Sequence, residues 1–142
     1  MLAAAAASFC AALVHGSVIA THLREWWLFG LFFILVTPLQ VLWAALAVRS
    51  PRNDRLLLAG AAGNLAIVLV WVVSRLVGLP FGPETFQPEA IGAKDLFATY
   101  DELAVVVLIA MLLARRVVRT WGLVAVWAIA GVSFVTAFIA GH

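Results

Sequence analysis

The sequence predicts an all-α polytopic membrane protein, a bundle of five transmembrane helices. Three observations predict it. Of 142 residues, 65% are hydrophobic and 11% charged, against about 25% charged in a soluble domain. Mean hydropathy is +1.11, and a small soluble chain cannot leave so little of its surface polar. Finally, a membrane-crossing helix needs roughly 20 mostly apolar residues. Five such runs fit at 2–23, 27–48, 56–77, 96–114 and 121–140, making residues 1–142 one transmembrane domain. Soluble, disordered and disulfide-stapled classes are excluded, and Cys10 is the sole cysteine.

The first run is Ala-rich and carries Ser8, His15 and His22. Val18-Ile19-Ala20 resembles a signal-peptide cleavage site, which would leave four helices. No Lys or Arg precedes Arg24, however, so the basic start of a signal peptide is missing and the run is read as a span. Arg24-Glu25 makes a short break, followed by Trp26 and Trp27 at a membrane–water boundary. The second run contains Thr37, Pro38 and Gln40, and Pro38 removes a backbone donor from it. The third contains a small-residue patch, Gly60 to Gly63, suited to close helix packing. Asn64, Trp71 and Arg75 follow it at helical spacing. The connection 78–94 is rich in Pro and Gly and reads as an ordered, extended loop. Thr99-Tyr100-Asp101-Glu102 has the capping-box pattern, placing the fourth helix start between Asp95 and Glu102. Arg115 to Thr120 reads as a basic connection before the fifth run.

The connections 49–55 and 115–120 hold six Arg and one Asp, a net charge of +5. Short basic loops stay in the cytoplasm. That places the chain in the plasma membrane with its N-terminus cytoplasmic and its C-terminus outside. The remaining charges, net −3, then fall on the outer face. The pI of 9.3 therefore reflects topology, and no nucleic-acid partner is expected.

Candidate chemistry gathers on that outer side. His22 and Glu25 are three residues apart, which puts a His and a carboxylate on one helix face. Such pairs bind metal in helical bundles when further ligands join them. Glu84, Glu89, Asp95, Glu102 and His142 are the further candidates by topology, and His15 lies about 10 Å deeper along the helix than His22. Mixed His and carboxylate donors suit Zn, Fe, Mn or Cu(II). An ionisable residue inside a span, as His15 is, is a functional candidate by default. The expected metal set is thus His22 and Glu25 with His15, Glu89 and Glu102. Gln40, Asn64, Arg75 and Asp95 are the expected structural polar groups. Arg75 is expected to pair with a carboxylate of the adjoining loop or of the fourth helix.

Plainer alternatives stand beside these. His22, Arg24 and Glu25 could be merely solvated, Asp95 and Glu102 could cap their helix, and His15 could be a neutral imidazole bonded to Asn64 or Gln40. Haem b is disfavoured, because only the first helix carries histidines within its span. No phosphate-cradling Gly loop, Cys-pair metal motif or nucleophile elbow is present, so the chain leans away from an enzyme.

His22-Leu23-Arg24-Glu25-Trp26-Trp27-Leu28-Phe29-Gly30 with Gln40, and Trp71-Val72-Val73-Ser74-Arg75-Leu76-Val77-Gly78-Leu79-Pro80 with Glu89, Gly92, Asp95 and Glu102, carry a resemblance. They resemble a family of small, uncharacterised multi-pass membrane proteins from GC-rich bacteria, over roughly residues 15 to 113. The resemblance implies one shared arrangement of these polar elements and brings no activity with it. The leading functional expectation is an outer His/carboxylate cluster that binds a divalent metal or another ligand. A structural subunit of a larger membrane complex, or a homo-oligomer, comes second. Proton or ion translocation comes third.

Overall fold

The computed structural model describes the backbone of residues 1–140 and the side chains of residues 1–119. Its helices are α1 (Leu2–Glu25), α2 (Trp27–Arg49), α3 (Asp54–Leu76) and α4 (Ala93–Ala140), and no strand occurs among the described residues. Residues Met1–Ala110 form one compact unit and Met111–His142 a second. The described part of the second unit is the continuation of α4.

Among the described residues the helices number four, which corrects the five expected. All of the first four runs are helical, so the difference lies at Arg115 to Thr120, which is helical and lies within α4. That segment contains neither Gly nor Pro. Arg is a good helix former, so three arginines supply polarity without any reason for the backbone to turn. The fifth run, 121–140, is therefore part of α4, and its side chains lie outside the described residues.

The start of α4 is also earlier than expected. It begins at Ala93, and the Asp95 carboxylate accepts the Gly92 N–H at 2.9 Å. A carboxylate reaching back to the residue that precedes the helix satisfies one of its orphan donors. Asp95 caps, as one alternative had it. Glu102 sits more than two turns inside α4 and caps nothing.

Turns are placed by specific residues. The α1–α2 break is the single extended residue Trp26, one position beyond Arg24-Glu25. Such a tight hairpin brings Leu23 against Gly30. A Cβ on Gly30 would fall 2.8 Å from the Leu23 Cα, so only Gly permits the approach. Between α2 and α3, Asn53 caps α3 by accepting the Leu56 N–H at 3.2 Å. The small-residue patch of α3 acts at Gly60, where any Cβ would collide with the Trp43 indole. The indole Nε1 there donates to the Leu56 carbonyl at 2.8 Å.

Each of α1, α2, α3 and the segment Ala93–Arg119 is long and apolar enough to cross a membrane, yet a third or less of each apolar stretch is buried. Leu13, Leu39, Leu58 and Val107 are exposed. Alanines such as Ala4, Ala11, Ala47 and Ala98 are buried, together with Ser8, His15, Gln40, Asn64 and Glu102. Apolar outside with small and polar residues inside is the packing of helices solvated by lipid. The chain is a multi-pass membrane protein.

Candidate functional site

Two polar clusters lie within Met1–Ala110, and a cavity reaches both. The inner cluster is built from one residue of each helix. His15 Nε2 of α1 lies 2.8 Å from Glu102 Oε1 of α4. Gln40 of α2 donates from Nε2 to the same oxygen at 3.4 Å and to Asn64 Oδ1 of α3 at 3.3 Å. Asn64 Nδ2 donates to its own Gly60 carbonyl at 2.8 Å, and Ser8 Oγ donates to the Gln40 carbonyl at 3.3 Å. His15 and Glu102 side chains are 7% and 1% exposed. Both lie about 13–15 Å along their helices from the ends near the 77–92 connection, close to the middle of a bilayer about 30 Å thick. In that setting a polar group needs a protein partner, since neither water nor lipid supplies one.

The structure thus gives His15 a partner that neither Gln40 nor Asn64 alone would have been. His15 meets a carboxylate, Gln40 donates to the same carboxylate oxygen, and Asn64 reaches it only through Gln40. Gln40 Oε1 and Thr37 Oγ1 remain buried without a hydrogen bond.

The outer cluster is a clamp on the connection between α3 and α4. Arg75 donates to Glu89 through Nη1 and to Asp95 Oδ2 through Nη2, the latter at 2.9 Å. Its Nη1 also meets Ser74 Oγ at 2.9 Å, and its guanidinium carbon lies 5.9 Å from the Trp71 ring centre. The Glu89 N–H donates to the Ser74 carbonyl at 3.0 Å. The expected Arg75–carboxylate pair is present and ties the Pro-rich connection to the end of α3.

His22 and Glu25 pair as their spacing predicts, Nδ1 to Oε2 at 2.6 Å. Phe33 of α2 stacks on His22 with ring centres 4.6 Å apart and lies 5.2 Å from the His15 ring. One phenyl ring therefore separates the two histidines. The five residues expected to share a metal divide into three places: His15 with Glu102, His22 with Glu25, and Glu89 with Arg75. Among the described residues, no three His, Cys, Asp or Glu side chains converge as metal ligands do. Glu84 is exposed in the connection, and His142 lies outside the described residues.

A cavity of about 410 Å³ runs from the clamp to the inner cluster. Its apolar wall includes Val18, Phe29, Phe32, Phe33 and Ile67, and its polar wall includes His15, His22, Arg75, Asp95 and Glu102. The sequence reading missed this cavity. Its signal was present in the aromatic residues of α2, Phe29, Phe32 and Phe33, which follow the Trp pair at helical spacing. A second cavity, about 420 Å³, lies between α2 and α3 and is almost wholly apolar.

No protein family, curated protein or solved structure matches the chain.

Proposed function

We propose that this membrane protein binds a small, mainly apolar organic molecule in the cavity between its helices. One observation carries the reading. A volume of about 410 Å³ is within the size of small-molecule sites, which are mostly apolar with a few convergent polar groups. Here the aromatic wall would hold the body of the ligand, and His15, Glu102 and Arg75 would orient it. The reading keeps the ligand-binding expectation and replaces its metal version, for which no more than two of the expected donors meet at any one place among the described residues.

We also propose that the protein lies in the plasma membrane with its N-terminus in the cytoplasm. The three arginines at 49–55 and the three at 115–119 support this orientation by the positive-inside rule. The clamp and the mouth of the cavity then face outward.

Saturable photolabelling by benzophenone, a neutral apolar probe, tests the binding reading on protein in mild detergent. Labelling should map to peptides of the cavity wall and disappear in Val18→Trp, which fills the cavity. Unsaturable labelling spread over the lipid-facing surface would refute the reading.

The polar chain from His15 through Glu102 and Gln40 to Asn64 supports a second reading, proton passage. Proton flux into liposomes that is abolished by Glu102→Gln would favour it over binding alone.

A further inference from the structure

The geometry points to a ligand that carries one positive charge: we infer that the cavity takes a lipophilic amine or quaternary cation, with its charge at Glu102. This rests on the binding reading above and specifies the chemistry of that site.

The charges around the cavity decide the sign. Its described lining contains three carboxylates, Glu89, Asp95 and Glu102, and two basic side chains besides the histidines, Arg75 and Lys94. Arg75 is committed to Glu89 and Asp95. Lys94 precedes Glu102 by eight residues on α4, about 12 Å along the axis, and is exposed. Neither cation is therefore placed to neutralise Glu102. Its hydrogen-bonding neighbours are His15 and the uncharged amide of Gln40, and both bonds fall on Oε1. Oε2 is the oxygen left for a cavity ligand. At 1% exposure, Glu102 has almost no other surface to offer.

A carboxylate this deep in a bilayer is costly unless a positive charge meets it. Two sources can supply that charge. One is a proton on His15. The other is the ligand itself, whose apolar groups would lie against Phe29, Phe32 and Phe33. An aromatic wall adds attraction for a cation and none for an anion. The two sources compete for one carboxylate, and only the ligand can bring apolar groups to the aromatic wall. The other groups that titrate or carry charge around the cavity are His22 on α1, Arg75 on α3, Glu89 in the connection, and Lys94 and Asp95 on α4. From α2, only the neutral Gln40 faces Glu102.

The probes are tetraphenylphosphonium and tetraphenylborate, hydrophobic ions of matched shape and opposite charge. Each is titrated against saturable benzophenone labelling of the full chain in mild detergent. The expected result is displacement by the phosphonium at a concentration at least tenfold below that of the borate. Glu102→Gln, which keeps the shape of the side chain, should remove that tenfold preference while benzophenone still labels. His15→Gln, which removes the other source of positive charge, should retain the preference. Labelling that persists while both ions displace it equally, or while Glu102→Gln leaves the preference intact, would overturn the cation proposal and leave the binding reading standing. Absence of saturable labelling in the wild-type chain would overturn both.

Discussion

Two histidines on one helix face each hold a carboxylate, and the two pairs differ in nearly everything but distance. His22–Glu25 spans 2.6 Å within a single turn at the end of α1, with side chains 22% and 50% exposed. His15–Glu102 spans 2.8 Å between α1 and α4, at 7% and 1% exposure. The first pair forms wherever α1 is helical and exchanges water for a neighbour at little gain. The second forms only when two helices distant in sequence pack. Its side chains are almost closed to solvent. Proximity alone therefore says little about what a pair contributes, whereas burial and sequence separation say a good deal.

Breaking the inner pair should have the largest effect. His15→Leu or Glu102→Leu alone leaves a buried polar partner uncompensated, at a cost of about 3–5 kcal/mol. The double substitution, apolar on both sides, should recover most of that loss. Thermal unfolding in detergent checks it; single variants within about 1 kcal/mol of wild type would mean that the pair is hydrated. Next comes the packing that brings the helices together. Gly60→Val drives a side chain into the Trp43 indole and should cost about 1–3 kcal/mol. Trp43→Leu in the same chain should relieve part of it, a coupling measurable by a double-mutant cycle.

A smaller effect is expected at the outer clamp. Arg75→Ala releases Glu89 and Asp95, which are 39% and 30% exposed and can be rehydrated. The loss in global stability should stay near 1 kcal/mol. The connection 77–92 should nonetheless be cut several-fold faster by a protease. Arg75→Lys should protect it only partly, because a point charge cannot bridge two carboxylates as a planar guanidinium does. The smallest effect belongs to the outer histidine pair. His22→Ala or Glu25→Gln should change stability by less than about 1 kcal/mol, and a larger change would show that the pair has a partner beyond itself.

The membrane class, the first three helices and the Arg75 clamp were legible in the sequence, because composition, run length and charge placement are local properties. The fourth helix was misread at both ends for opposite reasons. At its start, Thr99 to Glu102 matched a capping pattern, but Asp95 had already capped the helix from Gly92. Farther along, three arginines suggested a loop, although polarity without Gly or Pro does not stop a helix. The His15–Glu102 pair was legible in part. Glu102 lies in register with buried Ala98, Val105 and Ile109, at spacings of four, three and four. His15 lies in the same way with Ala4, Ser8 and Ala11. Gln40 shares a face with Trp43, Ala44 and Ala47, and Asn64 with Leu57, Gly60 and Val68. Each helix therefore announced at least one polar residue on its packed face. Which of these residues meet depends on how the helices are arranged, and periodicity within a helix does not encode that.

The double tether of the connection has a practical consequence for engineering. Ser74 and Arg75 hold Glu89 and Asp95, so both ends of the excursion between α3 and α4 are fixed by one helix terminus. The tip around Glu84 to Phe86 is exposed and bears no part of the tether. Lengthening a closed loop is cheap, about 0.6 kcal/mol for each doubling. An epitope or fluorophore tag inserted there should leave the helices in place, and its accessibility in intact cells would report which face of the membrane the mouth of the cavity occupies.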